Sequence, residues 1–123
     1  ITKGQLIFSF TIAIGFALGS LEHLTFFALA SLGRIASPPF YPPWRHLLMA
    51  TVDGAIATIA IRRPRALVFV LAVMVTEQLL TTGRFVLVEG LQNGVVHGVL
   101  LAVLLFEIGA LYAAAIYRWR SAE

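Results

Sequence analysis

Apolar residues fill four long stretches of this chain, and polar residues gather between them. The stretches cover residues 5–32, 44–61, 66–86 and 95–117. An α-helix rises about 1.5 Å per residue, so stretches of this length suit the roughly 30 Å of hydrocarbon in a bilayer. The first one also runs on past the length of a signal peptide, so we interpret it as a span. The pattern predicts an all-α integral membrane protein, with four transmembrane helices in a single domain.

Short connections separate the predicted spans. Gly33 ends the first span, and residues 37–44, which hold four prolines and three aromatic residues, are predicted to form an interfacial loop. Residues 62–65 make a tight basic turn, and residues 90–94 a short polar connection. Short connections make consecutive helices antiparallel neighbours, so the predicted fold is an up-down-up-down four-helix bundle.

The basic residues predict the orientation of that bundle. One side of the membrane receives Lys3, Arg62, Arg63, Arg65, Arg118 and Arg120, and the other receives Arg34, Arg45 and Arg84. Cytoplasmic loops carry an excess of Lys and Arg, so six against three places both termini in the cytoplasm. We therefore expect a multi-pass protein of the cytoplasmic membrane, which is the inner membrane if the source is a bacterium.

Composition agrees with the membrane interpretation and excludes several classes of protein. Hydrophobic residues make up 59% of the chain and charged residues 12%, far from the usual soluble composition. The net charge of +3 comes from basic residues at span ends, so we expect the lipid bilayer as a partner and no nucleic acid. The chain has no cysteine, which excludes disulfides, thiolate metal sites and iron–sulfur clusters.

Carboxylates inside the apolar stretches are the main functional signal. Four of the six acidic residues, Glu22, Asp53, Glu77 and Glu107, lie within predicted spans. A charged carboxylate part-way across a bilayer costs several kcal/mol unless it is paired or protonated. These positions therefore indicate a polar site inside the bundle.

Helical spacing and depth predict that this site is one pocket in the outer half of the bilayer. In the first span Gly15, Gly19 and His23 recur every four residues, which favours close helix approach on the face that carries His23. Similar stripes in the other spans lead to a predicted lining of Glu22, His23, His46, Asp53, Glu77, Gln78 and His97, with Glu107 as the floor.

Several hypotheses fit such a pocket. The polar groups hydrogen-bond between helices and set their register, at about 1 kcal/mol for each contact. Alternatively, His23, His46 and His97, with Glu22, Asp53 and Glu77, bind a divalent transition metal such as Zn, Cu or Fe. A third hypothesis makes His23 and His97 the axial ligands of haem b. Acid/base catalysis on a lipid-like substrate and a small proton-coupled carrier are further alternatives.

The short loops favour one functional hypothesis among these. They leave no extramembrane domain to carry chemistry, so we expect a non-catalytic accessory or ligand-binding subunit of a larger membrane assembly. Its partner would be another membrane protein or further copies of the chain. The alternative is a metal- or haem-binding membrane enzyme or redox subunit, or an acid/base enzyme, so the sequence leaves open whether the chain is an enzyme.

Overall fold

Four α-helices account for most of the chain. The computed structural model describes residues 2–37, 39, 41–89 and 94–122, without the side chains of residues 89, 94–97, 99 and 117–122. The helices are α1 (Lys3–Ser31), α2 (Pro43–Arg62), α3 (Leu67–Glu89) and α4 (Gly94–Ala122), and a 3-10 turn at Pro64–Ala66 precedes α3. No strand occurs in these described ranges. Three of the four predicted stretches agree with their helices to within three residues, and α4 continues five residues past the predicted end. The all-helical class is confirmed.

Local sequence defines both ends of α1. At the start, the Thr2 side chain accepts a hydrogen bond from the Gln5 backbone N–H, and the Gln5 side chain accepts one from the Thr2 backbone. This reciprocal pair satisfies donors that a helix start leaves open. At the end, Gly33 has φ of +71°, a left-handed conformation that glycine adopts without a steric penalty. The N–H groups of Gly33 and Arg34 bond back to the carbonyls of Ala30 and Leu29, which closes the helix.

Prolines mark both ends of α2. Pro43 occupies the first turn, where a missing N–H leaves no hydrogen bond unmade. The helix ends at Arg62, and Arg63 donates its backbone N–H to the Ile59 carbonyl. Pro64 then begins the 3-10 turn that leads into α3. The basic turn predicted at residues 62–65 is therefore present.

The chain divides into two helical units, Ile1–Pro64 and Arg65–Glu123. In the first unit α1 packs against α2. Gly19 lies next to Asp53 and His23 next to His46, so positions advance along one helix as they go back along the other. The first unit is an antiparallel hairpin, which we call the first hairpin.

The second unit consists of α3 packed against α4, which we call the second hairpin. The buried residues of α3 are Leu67, Leu71, Met74, Gln78 and Thr81, at alternating intervals of four and three. That repeat averages 3.5 residues and is typical of helices that pack along a narrow seam. Among the α4 side chains that the structure describes, the buried ones are Leu104, Glu107, Ala110 and Ala114.

Two helices of the described chain are long and apolar enough to cross a membrane, Lys3–Ser31 and the continuous helical stretch Pro64–Val88. In α4, a shorter apolar segment covers Leu100–Ile116. Large apolar side chains are exposed on all four helices, among them Ile14, Leu48, Leu80 and Leu105. Exposed apolar surface of this extent is what a lipid environment accommodates. These features favour membrane association.

Candidate functional site

Two histidines meet at the interface between α1 and α2. The Nδ1 atoms of His23 and His46 are 3.0 Å apart, and the ring centroids are 5.3 Å apart. A hydrogen bond between two ring nitrogens needs one N–H donor and one acceptor lone pair. An imidazolium ring has no acceptor nitrogen, so at least one of these two rings is neutral.

A buried carboxylate lies behind His23. Asp53 is only 5% exposed, and its Oδ2 is 3.9 Å from His23 Nε2, the ring nitrogen that faces away from His46. At this separation the two groups interact electrostatically rather than through a hydrogen bond. The three side chains form a continuous line from His46 through His23 to Asp53, which we call the His–His–Asp cluster.

Glycine at position 19 makes room for that carboxylate. A Cβ atom built on Gly19 would lie 2.9 Å from Asp53 Oδ2, closer than real Cβ contacts allow. At Gly54, on the opposite helix, a Cβ atom would lie 3.7 Å from the Ser20 hydroxyl oxygen, which is an ordinary contact. The predicted role of Gly19 in close helix approach therefore has a specific partner, the side chain of Asp53.

A serine hydroxyl links the two helices beside the cluster. Ser20 Oγ donates a hydrogen bond of 2.7 Å to the backbone carbonyl of Ala50. That carbonyl belongs to the helix interior, so Ser20 adds a contact without removing a helical bond. Hydrogen bonds of this kind between membrane helices contribute about 1 kcal/mol.

Aromatic side chains surround His46 at the loop end of the hairpin. The Tyr41 ring meets the His46 ring edge-on at 4.7 Å, and Phe26 lies 5.5 Å from it. The Arg45 guanidinium sits 4.8 Å from the Tyr41 ring centroid, within the range of a cation–π interaction. Tyr41 is 5% exposed. Tyr41 and Phe26 therefore both pack against the His46 ring.

The structure brings three of the predicted site residues together within the first hairpin. His23, His46 and Asp53 form the cluster. The Glu22 side chain is exposed on α1, because neighbouring helical residues point about 100° apart. Glu77 belongs to the second hairpin. The side chain of His97, the predicted second haem ligand, lies outside the described residues.

The second hairpin has its own buried polar groups. Thr81 Oγ1 donates a hydrogen bond of 2.6 Å to Glu77 Oε1 one turn earlier in the same helix. Gln78 and Glu107 are buried, at 8% and 3% exposure. The sequence predicted that all three helical positions Glu77, Gln78 and Glu107 face inward, and burial of the last two agrees with this prediction.

A protein metal site uses at least three ligands, whereas only two ring nitrogens face each other in the cluster. Among the side chains that the structure describes, no group of three or more His, Asp or Glu residues is arranged to hold a metal ion. The set predicted from sequence includes His97, whose side chain is not described. The full metal set therefore stays a prediction, and so does the haem site of His23 and His97.

Sequence reasoning missed two residues of this site. Ser20 lies one residue after Gly19, and a small polar residue beside the close-approach glycine was the signal for an interhelical hydrogen bond. Tyr41 lies in the loop that was predicted to be interfacial, and the structure also packs its ring on His46. The short distance from Tyr41 to the start of α2 was the available signal.

Comparisons with protein-family models, with curated proteins and with solved structures found no match to this chain.

Proposed function

We propose that this chain is a four-span membrane protein that acts as a non-catalytic accessory or ligand-binding subunit of a larger membrane assembly. The observation that carries the proposal is the His–His–Asp cluster, which joins α1 and α2 of a largely apolar hairpin. Buried ionisable groups in such a setting are retained for a function or for specific helix pairing. The exposed apolar side chains on every helix supply surface for lipid or for partner helices.

The proposed topology has both termini in the cytoplasm and an up-down-up-down order of spans. It is supported by the distribution of basic residues, by the two span-length helices and by the apolar segment of α4. Because the chain has no cysteine, single cysteines report accessibility without background. A membrane-impermeant thiol reagent added from outside should label Ser37→Cys and leave Arg63→Cys unlabelled in intact cells. Labelling of both positions from the same side would contradict the topology.

The subunit role is tested by mild extraction of the tagged chain from its native membrane. We expect it to migrate with other membrane proteins or as a homo-oligomer. Gly54→Leu places a large side chain against Ser20, so it should disturb the packing of α1 on α2 and serve as a control with a damaged hairpin. Turnover of a lipid or quinone substrate by the purified chain alone would contradict the non-catalytic role.

Metal binding is a second candidate function, and the facing histidine nitrogens favour it. Two imidazoles on one tetrahedral zinc ion, at about 2.0–2.1 Å each, hold their nitrogens about 3.3 Å apart. The observed separation of the two Nδ1 atoms is 3.0 Å, and Asp53 lies 3.9 Å from His23 Nε2, on the side of the ring from which a carboxylate would orient a ligand histidine after moving closer. Stoichiometric metal in the purified protein, lost in His23→Ala, would support this function; a Soret band would instead indicate haem.

A further inference from the structure

We propose that the His–His–Asp cluster is a proton relay, which carries a proton from the loop end of the first hairpin to the buried carboxylate of Asp53. The inference concerns what the cluster does chemically, and it holds whether or not the chain is a subunit of an assembly. It is an alternative to metal binding, because the two Nδ1 atoms cannot both bind a metal ion and share a hydrogen. Three ionisable side chains in contact order, on two helices, are the observation behind it. Chains of His and carboxylate groups inside membranes are the usual material of proton pathways.

The cluster fixes which ring nitrogens hold hydrogen. The carboxylate of Asp53 faces His23 Nε2, so it favours a hydrogen on that nitrogen. His23 then presents the lone pair of Nδ1 to His46, and the 3.0 Å contact requires that His46 donate from its own Nδ1. His46 Nε2 then has a free lone pair, so it is the atom that accepts the incoming proton.

Exposure falls along the same line. His46 is partly exposed next to the loop residue Tyr41, whereas the side chains of His23 and Asp53 are 18% and 7% exposed. Seven residues separate His46 from Asp53 on α2, so the line covers about 10 Å along the helix. The relay therefore has an accessible end and a buried end.

Each transfer moves one proton and no electrons. A proton that binds His46 Nε2 makes that ring an imidazolium, and its Nδ1 proton then moves to His23 Nδ1. His23 in turn releases its Nε2 proton to Asp53 Oδ2, which becomes a neutral carboxylic acid. The net result is one proton taken up at His46 and one carboxylate protonated at Asp53, with both rings neutral and in the opposite tautomer.

One step of the relay needs a small movement. The gap between His23 Nε2 and Asp53 Oδ2 is 3.9 Å, about 1 Å longer than a hydrogen bond. The relay therefore requires the Asp53 carboxylate and the His23 ring to approach each other by that distance during the transfer. Among the described residues, the charged groups next to the two histidines in sequence are Arg45, which lies over the Tyr41 ring, and Glu22, which is exposed.

The test measures how fast Asp53 gains a proton. In lipid nanodiscs, light releases a caged proton, and time-resolved infrared spectroscopy follows the carboxylic acid C=O band, which Asp53→Asn identifies by its loss. We expect His46→Phe, which keeps a ring against Tyr41 and Phe26, to slow the rise at least about tenfold, since positioned acid–base groups contribute about 10²–10⁴-fold. The final amplitude should be unchanged, and added imidazole should restore the rate.

Matched variants separate a relay from a structural pair. Thr51→Val removes an exposed hydroxyl that bonds only within α2, and it should leave the rate at the wild-type value. Gly19→Ala should slow the rise because it displaces the carboxylate, whereas Gly54→Ala should not. If His46→Phe fails to fold, as judged by its helical circular dichroism, the comparison of Gly19→Ala with Gly54→Ala still tests the relay.

Three results would overturn the relay. The first is a rate that is equal in the wild type, His46→Phe and Gly19→Ala. The second is an infrared spectrum in which Asp53 never gains a proton. The third is a nitrogen-15 NMR spectrum of labelled histidines that shows hydrogen on His23 Nδ1 rather than Nε2. The expected spectrum has a coupling between the two Nδ1 nuclei, with the shared hydrogen on His46.

Discussion

The two hairpins bury polar groups in different ways. In the first hairpin, polar contacts cross from one helix to the other, between His23 and His46 and from Ser20 to the Ala50 carbonyl. In the second hairpin, the hydrogen bond from Thr81 to Glu77 stays within α3, next to a repeat of large apolar residues. A contact that crosses helices fixes their register, whereas one inside a helix satisfies a polar group without choosing a partner. We therefore expect the first hairpin to depend on small and polar residues and the second on leucine packing.

The largest expected effect is loss of a buried leucine in the second hairpin. Leu71 has no exposed surface, so Leu71→Ala should lower the free energy of unfolding by about 2–5 kcal/mol through lost packing. Leu80, on the same helix, is 68% exposed, and Leu80→Ala should change it by less than about 0.5 kcal/mol. Titration with a denaturing detergent in mixed micelles measures both. Equal losses of stability in the two variants would show that the buried repeat of α3 contributes no more to packing than its exposed face.

An intermediate effect is expected where the first hairpin needs a glycine. Gly19→Val places carbon against the Asp53 carboxylate and should cost about 1–3 kcal/mol of stability. Valine has a better helix propensity than glycine, so any loss comes from that contact. Gly109→Val in α4 is the matched change, since a Cβ atom there meets nothing within 4 Å. If Gly19→Val and Gly109→Val have the same stability in the same detergent titration, α1 and α2 leave room for a larger side chain at position 19.

The smallest effect distinguishes hydroxyls that cross helices from those that do not. Ser20→Ala removes the hydrogen bond to Ala50 and should cost about 0.5–1 kcal/mol. Thr76→Val removes a hydroxyl that bonds to Ala72 one turn back in α3, and it should be close to neutral. A double-mutant cycle of Ser20→Ala with His23→Phe would show whether the two crossing contacts are coupled. A larger loss of stability in Thr76→Val than in Ser20→Ala would contradict the view that a hydroxyl between helices contributes more than one within a helix.

Periodicity was enough to predict the helices, because long apolar runs bounded by proline, glycine and arginine leave little freedom in where a helix begins and ends. It was also enough to predict that His23, His46 and Asp53 face one another, since antiparallel neighbours bring those depths together. Direction around the helix was harder to predict. Glu22 is adjacent to His23 in sequence, yet a rotation of about 100° per residue turns its side chain to the exposed side.

Contacts made by single atoms could not be predicted from the pattern. The fit of the Asp53 carboxylate against Gly19 depends on how closely two backbones approach, and residue types alone do not set that distance. The edge-on contact of Tyr41 with His46 depends on the path of a proline-rich loop. The membership of Glu77 in the same site stays a prediction, because Glu77 belongs to the other helical unit.

The hydrogen bond from Ser20 to Ala50 has a consequence for evolution. Its acceptor is a backbone carbonyl, so the bond does not require any particular side chain at position 50, only one small enough to keep the helices close. Position 20, by contrast, must supply a hydroxyl. In related sequences we therefore expect serine or threonine to persist at position 20, while alanine, glycine and serine interchange at position 50.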